Sequence, residues 1–457
     1  MMSFLSYRSP CSTSSAFHCM LLANDGRKAS CIVPRRLLSS TSVSDCRFFS
    51  TKFISATVRC LSRLFKCTVR ADGIKTSLPP LFSVAPMMDW TDNHYRTLAR
   101  LISQHAWLYT EMIVAETIVY QKNNLDRFLE FPETQHPIVL QIGGSNVANL
   151  AKAVELANTY GYDEINLNCG CPSQKVAGHG CFGAQLMLNP KLVGEAMAAI
   201  SANSDVPVSV KCRIGVDDHD TYDKLCAFID TVSSLSPTRH FIIHARKALL
   251  KGLSPDENRT IPPLKYEYVF GLIRDFPHLH FTLNGGITQI PQVKSALWKG
   301  VYGVMIGRAA YNTPWATLGH VDTAVYGVPS RGLSRRQILQ EYQKYADSVI
   351  GKYGINKPSI RNVVKPLLNL FHSEPGARVW KRKVDEALRH CQNVHSLLEE
   401  SIEVIPDFVL DASPPIQIYD DESFSQIEMS LPEIWAATSS CLEVEDIHSY
   451  RKVIQNV

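Results

Sequence analysis

Residues 166–172, Asn166-Leu-Asn-Cys-Gly-Cys-Pro172, place two thiols, amide side chains and a Gly/Pro turn at what reads as the end of a β-strand. Cys171, between Gly170 and Pro172, sits in a constrained loop. An unperturbed thiol has a pKa near 8.5, so it is mostly protonated at neutral pH and can serve as a general acid. Covalent nucleophile and structural thiol of a tight turn are the other roles open to it. Cys169, Cys171, His179 and Cys181 also raise the question of a metal. There is no Cys-x-x-Cys pair among them, and one residue between ligands is poor spacing for tetrahedral zinc, so no metal is expected.

Other polar groups close apolar runs elsewhere. Asn284-Gly-Gly286 and Gly307-Arg308 end two consecutive runs. Glycines there let backbone N–H groups approach an anion and Arg308 adds a charged fork, which together suit a phosphate. Lys211, within a run of Val and Cys, and Gln141 are of the types an isoalloxazine ring needs: a cation near N1/C2=O and hydrogen-bond partners along the pyrimidine edge. The plainer account of Lys211 is a lysine paired with a carboxylate at a strand end.

These residues need elements that bring them together. Strand patterns lie at 82–86, 108–112, 138–143, 164–168, 208–213, 241–245, 280–284 and 303–307, with helical periodicity between them at 147–160, 190–202, 222–234 and 290–299. Eight strands alternating with helices predict a closed parallel barrel, an α/β fold of the (β/α)8 TIM type. In such barrels the carboxyl ends of the strands line one mouth. One or two polar strand ends would merely lead into loops; eight (Pro86 to Asp89, Glu111, Gln141, Asn168 and Cys171, Lys211 and Arg213, His244 and Arg246, Asn284, Arg308) read as a site. From about residue 325 the pattern becomes helical at 333–353, 360–371, 376–391 and 394–405, which predicts a small all-helical domain. The division expected is a leader over 1–75, the barrel over 76–325, the helical domain over 326–408 and a flexible acidic tail over 409–457.

The net charge of +4 over 457 residues hides an uneven distribution. Residues 1–70 hold eleven Lys/Arg against Asp25 and Asp45, residues 410–457 hold nine Asp/Glu against Arg451 and Lys452, and the middle is close to neutral. Any nucleic-acid site must therefore be a local basic patch, for which Lys357, Arg361, Lys365, Arg378, Lys381, Arg382, Lys383 and Arg389 are the helical-domain candidates. The Ser/Thr- and Arg-rich, acid-poor leader reads as a plastid or mitochondrial transit peptide. Seven cysteines outside the leader are too few and irregular for a disulfide framework and read as free thiols. No apolar run reaches the ~20 residues of a membrane span.

In order along the chain, Ala85-Pro-Met-Met-Asp-Trp90, Gln141-Ile-Gly-Gly144, Asn166-Leu-Asn-Cys-Gly-Cys-Pro-Ser173, Val210-Lys-Cys-Arg-Ile-Gly215, His244-Ala-Arg-Lys-Ala248, Gly252-Leu-Ser-Pro255 with Glu257-Asn-Arg259, Asn284-Gly-Gly286 and Gly307-Arg308 resemble the motifs of the tRNA-dihydrouridine synthases, in their DusA-type branch. The resemblance runs from about residue 82 to 395. It implies an FMN-binding barrel followed by a helical tRNA-binding domain, with NADPH as reductant and D-loop uridines (20 and 20a) reduced at C5=C6. It further implies FMN contacts from Pro86, Met87, Met88, Gln141, Lys211, His244, Asn284, Gly285, Gly286, Gly307 and Arg308. Cys171 would donate the proton, and Gly170, Arg259, Arg378 and Lys381 would meet the tRNA; Asn168, read from its own place at the strand end, could hold the pyrimidine edge. A monomer is expected. The chain departs from the family pattern in two places: Cys169 where an apolar residue is usual, and Asp256 where a base is familiar. The competing readings are an FMN barrel acting on a free pyrimidine or other small molecule, and a tRNA chaperone without turnover.

Overall fold

The computed structural model describes residues 78–173, 175–176 and 181–414; the leader, most of the acidic tail and His179 lie outside them. The strands are β1 (Phe82–Val84), β2 (Trp107–Tyr109, continued by Ile113–Val114), β3 (Ile138–Gly143), β4 (Glu164–Cys169), β5 (Val208–Arg213), β6 (His240–His244), β7 (His280–Asn284) and β8 (Gly303–Ile306). Each pairs in parallel with the next, and Phe82 lies opposite Val304, so β8 meets β1 and the eight staves close into a TIM barrel.

Each strand leads into a helix laid outside it: α1 (Asn93–Ile102), α2 (Ala115–Tyr120), α3 (Val147–Ala157), α4 (Pro190–Ala202), α5 (Tyr222–Leu235), α6 (Tyr266–Asp275), α7 (Ile290–Trp298) and the short α8 (Arg308–Asn312). Their starts follow from local chemistry. Asp92, Asn146, Asn189 and Thr221 each accept a backbone N–H at an N-cap, and Pro190 fills a first-turn position whose N–H has no partner in any case. The apolar faces of strands and helices share one large core between the two layers.

The second strand breaks where a continuous one is expected. Tyr109 faces Val139 and Ile113 faces Ile142, so one extra residue must be absorbed between them. The bulge at Thr110–Met112 turns Glu111 away from the ladder toward the mouth, as an inserted residue does. Gln141 N–H then donates to Thr110 Oγ1 at 3.0 Å.

Inside the staves the packing is unusual for a barrel. Branched aliphatics commonly fill this space. Here a small apolar cluster (Ala85, Trp107, Tyr109, Val139, Ile242, Met305) shares it with buried Gln141, Glu164, Asn166, Ser209, His240 and Thr282.

Beyond the barrel come α9 (Arg335–Val349), α10 (Ile360–Val364), α11 (Ala377–Ala387) and α12 (Val394–Ser401). A capping box from Ser334 and Gln337 starts α9. These helices dock on the barrel: α9 packs on α1, with Tyr345 OH and His94 Nδ1 3.0 Å apart, and Lys365 Nζ donates to Asp89 O at 2.6 Å. Trp380 is fully buried, edge-on to Phe371 with centroids 4.9 Å apart. Trp380→Ala is expected to cost about 3–5 kcal/mol by denaturant unfolding. Trp380→Phe should cost less, because the buried indole N–H has no acceptor among the described residues. Equal losses for the two would contradict this account of the packing.

Candidate active site

The parallel register sets polar side chains side by side at the carboxyl ends. Asn168 lies opposite Lys211, Arg213 opposite His244, and His244 opposite Asn284. Lys211 and Arg213, two apart on β5, share a face. Lys211 Nζ donates to Asn284 Oδ1 at 3.1 Å, and Asn284 Nδ2 donates to Met305 O at 2.8 Å, so the amide oxygen is turned toward the lysine. Lys211 keeps a partial opening to the mouth, yet the protein around its ammonium pushes it down to about 7, with Arg213 adding to the effect. Burial, then the charges of Arg213 and Lys211, hold His244 well below the ordinary imidazole value, so it is neutral at pH 7.

A cradle lies beside this pair. Gly285 (φ 109°) and Gly286 (φ 75°) adopt backbone conformations that side chains disfavour. A Cβ at 285 would stand 2.5 Å from His244 Cδ2, and one at 286 would stand 2.5 Å from Leu264 Cδ1. Tyr266 OH braces the turn by donating to Gly285 O at 2.6 Å. Gly307 closes the next strand beside Met87, whose Sδ would be 3.3 Å from an added Cβ. Arg246 lies within electrostatic reach of Arg308; its Nη1 donates to Pro262 O, while its Nε is buried with no acceptor among the described residues. Two guanidinium groups near one glycine turn, one with an unsatisfied N–H, fit a doubly charged phosphate. Gly285→Ala is therefore expected to displace His244 and weaken anion binding at the cradle by about tenfold or more. Titration with inorganic phosphate measures this; unchanged affinity would place the anion elsewhere.

The thiol loop is tied down from both sides. Asn168 Oδ1 accepts from Gly170 N at 3.1 Å and Cys171 N at 3.0 Å. From the next strand, Arg213 donates to Gly170 O at 3.1 Å, and also to Lys247 O at 3.1 Å and Asn258 O at 2.8 Å. Cys171 O accepts from Ala184 N at 2.9 Å. The thiol lies within electrostatic reach of Lys211, Arg213 and Arg259, and is partly exposed. Cys169 points the other way, into the apolar layer opposite Cys212, and burial pushes its thiol well up. It packs as a small hydrophobe.

Of the remaining expected residues, Pro86 and Met87 are half-buried and Met88 is exposed on the same rim. Gln141 is buried beneath Asn168, which donates to its Oε1 at 2.8 Å. Arg308 reaches Asp256 Oδ1 at 3.5 Å and Arg259 O at 3.3 Å, and Arg259 lies 3.8 Å from the same Asp256 oxygen. Asp256, the unfamiliar acid, is thus a counter-ion shared by two of the expected site arginines. Arg378 and Lys381 lie apart from the mouth, exposed three residues apart on α11. Lys381 Nζ donates to Asn369 Oδ1 at 3.3 Å, Asn369 Nδ2 donates to Tyr311 O at 3.3 Å, and Tyr311 stacks on Trp90 at 4.5 Å, so α11 is linked to the Pro86–Trp90 rim. A cleft of about 620 Å³ opens between β2 and α9, reaching the rim at Met88 and Glu111.

Sequence reasoning listed Arg213 and Arg246 only as polar strand ends; it did not single out Arg213 as the tie of the thiol loop, nor Arg246, half-buried with an unpartnered Nε, as a neighbour of Arg308. Two-residue spacing from Lys211 was the available signal for Arg213; nothing in the sequence marked the second. Among the described residues, His390, Cys391 and Glu400 also converge, His390 Nε2 to Glu400 Oε2 at 2.8 Å and Cys391 Sγ to Oε1 at 3.3 Å. These mutual contacts account for that trio without an ion.

A closed parallel barrel whose mouth gathers a lysine, a neutral imidazole, arginines, a glycine cradle and a tethered thiol defines a barrel enzyme with an anion-binding active site. The chain belongs to the dihydrouridine synthase family: the model described as "Dihydrouridine synthase (Dus)" matches residues 83–405. It is 43% identical over 328 residues to the tRNA-dihydrouridine(20/20a) synthase of Escherichia coli (strain K12), covering 71% of this chain and 92% of that protein. It is 44% identical over 310 residues to the enzyme of the same name from Shewanella oneidensis, covering 68% of this chain and 89% of that protein. Among solved structures, an old yellow enzyme homologue from Zymomonas mobilis is similar at a TM-score of 0.40 and 11% identity, over 55% of this chain and 90% of that one.

Proposed function

We propose that this protein reduces the C5=C6 bond of D-loop uridines in tRNA, at positions 20 and 20a, with FMN as cofactor and NADPH as electron source. The observation that carries the reading is the arrangement of one mouth: the thiol loop is tied through Arg213 and Asn168 to the same strand ends that hold Lys211, Asn284 and the arginine-lined cradle.

The donors present fit FMN. Arg246, Arg308, Gly285, Gly286 and Gly307 would hold its phosphate, while Lys211, Gln141, His244 and the rim residues Pro86, Met87 and Met88 would meet its ring. Bound FMN, recharged by NADPH, supplies the hydride that saturates uracil C6. The protein supplies the rest. Cys171 Sγ–H gives its proton to C5, and the thiolate left behind is reprotonated from solvent, so the pyrimidine gains one hydride and one proton. Arg259 and Arg213 hold positive charge within electrostatic reach of the sulfur. The base has to be turned out of its stack to enter the mouth, and Arg378 and Lys381 would grip backbone phosphates around it. We also infer that residues 1–75 are an organellar leader and that the enzyme acts in a plastid or mitochondrion.

The test uses purified protein freed of residues 1–70, with NADPH and unmodified tRNA, followed by mass analysis of the nucleosides. Dihydrouridine from tRNA, and none from free uridine, is the expected result. Turnover of free pyrimidine would instead favour a small-molecule oxidoreductase, and RNA binding without product a chaperone. A tagged full-length chain imaged in cells decides the leader: uniform cytosolic signal would overturn that part.

A further inference from the structure

We propose that Glu164, buried at the floor of the barrel, is a positioning residue for the thiol loop at the opposite end, an inference that deepens the functional reading above and rests on it for its kinetic consequences. Its route is a one-way chain of hydrogen bonds through the barrel interior. Cys171 N and Gly170 N both donate to Asn168 Oδ1. Asn168 Nδ2 donates to Gln141 Oε1, Gln141 Nε2 to Asn166 Oδ1, and Asn166 Nδ2 to Ser209 Oγ, each at 2.8 Å. Ser209 Oγ–H donates to Glu164 Oε1. Tyr109 OH adds a donor to the same oxygen at 3.4 Å, and His240 Nδ1 lies 3.4 Å from Oε2.

The direction of the chain is dictated rather than assigned. A backbone N–H can only donate, so Asn168 must turn its oxygen to the loop and its nitrogen to Gln141. Each carboxamide passes the same constraint downward until the serine proton has one acceptor left, the carboxylate. A carboxamide is nearly symmetric in shape, and packing alone does not choose between its two orientations. The two backbone N–H groups fix the chain from above and Glu164 fixes it from below, because an acceptor at the floor takes the serine proton and lets every N–H in the chain point downward. With that acceptor gone, the amides are held from the loop end alone, so Asn168 and the Gly170–Cys171 turn that it carries are less firmly placed. Glu164, Asn166, Gln141 and Ser209 are buried, and the low local dielectric strengthens these bonds. The second hydrogen on the Gln141 and Asn168 amides has no acceptor among the described residues and is left for ligands.

Ser209→Ala tests the chain with the loss of a single oxygen, together with Glu164→Gln and the double variant. The first measurement is the rate at which iodoacetamide alkylates Cys171 in the flavin-free protein, read by peptide mass spectrometry so that other cysteines are resolved. The second is the kcat and KM for uridine reduction. Ser209→Ala is expected to raise Cys171 alkylation about threefold and lower kcat about tenfold, with KM for tRNA within about twofold. Glu164→Gln, which can either accept or donate at that position, should fall between it and the unaltered protein. The double variant should match Ser209→Ala, because Glu164 acts only through Ser209. An unchanged alkylation rate in Ser209→Ala, or single effects that multiply in the double variant, would overturn the proposal. Failure of the unaltered protein to bind FMN or reduce uridine would sink the functional reading instead, and alkylation would still decide the chain.

Discussion

Replacing Cys171 by alanine is expected to lower dihydrouridine formation by about 10²- to 10⁴-fold, the usual worth of a positioned proton donor. Binding of FMN and oxidation of NADPH should continue at close to their original levels. The separation follows from where the side chain sits. The loop is held by main-chain groups of Gly170 and Cys171, which bond Asn168, Arg213 and Ala184. Alanine keeps all of them, so only the sulfur is removed. None of the groups that fit the flavin phosphate, Arg246, Arg308 and the glycines, touches the sulfur. Serine at the same position restores a hydroxyl but not an acid of comparable strength, and Cys171→Ser is expected to stay well below the unaltered enzyme. Single-turnover reduction of tRNA, monitored beside NADPH consumption, separates the two half-reactions. Undiminished uridine reduction in Cys171→Ala would assign the proton to another group.

What could be read from the chain alone depended on period and spacing. The runs over 138–143, 208–213 and 280–284 end where the strands do, because their apolar content matches a stave buried on both faces and a turn residue follows. Polar residues breaking those runs marked the mouth. Cys169 shows the limit of that reasoning. It and Cys171 look alike in sequence, but the pleat sends Cys169 into the apolar layer against Cys212 while the Gly170 turn carries Cys171 to the rim. The bulge in β2 was not legible, since a single extra residue leaves no mark in hydrophobic pattern and is forced only when β3 supplies one partner fewer. Nor was the interior chain. Glu164, Asn166 and Ser209 belong to two strands some forty residues apart and each looks like an ordinary polar residue in an alternating strand; only closure of the barrel faces them toward one axis. Asp256 gave a partial signal: its departure from the family pattern was visible, its role as counter-ion to Arg259 and Arg308 was not.

Affinity of the flavin-free protein for FMN is expected to fall as pH rises from 7 to 9. Lys211 is pushed down to about 7 mainly by burial, with Arg213 next, and among the described residues no carboxylate faces it: its hydrogen-bond partner is the neutral oxygen of Asn284. Below that value the lysine is already charged and can donate to the electron-rich N1/C2=O edge of the ring at no further cost. Above it the free protein holds the neutral amine, and making that charged contact has to draw a proton from solvent. Each pH unit then weakens binding by up to about tenfold, until the pH passes the raised pKa of the complex. The FMN phosphate does not confuse this window, since its second ionisation near pH 6 is complete by then. His244 contributes nothing to it, being held neutral well below pH 7. Lys211→Met removes the titrating group while keeping most of the stem's volume. That variant is expected to bind FMN about 30-fold more weakly at pH 7, the loss of one partly buried charge contact of ~2 kcal/mol, and with an affinity independent of pH between 7 and 9. Proton uptake can be read directly: isothermal titration at pH 8 in buffers of different ionisation enthalpy should show close to one proton taken up per FMN bound by the unaltered protein and almost none by Lys211→Met. Equal uptake by both would mean that the proton belongs to another group and that Lys211 does not face the flavin.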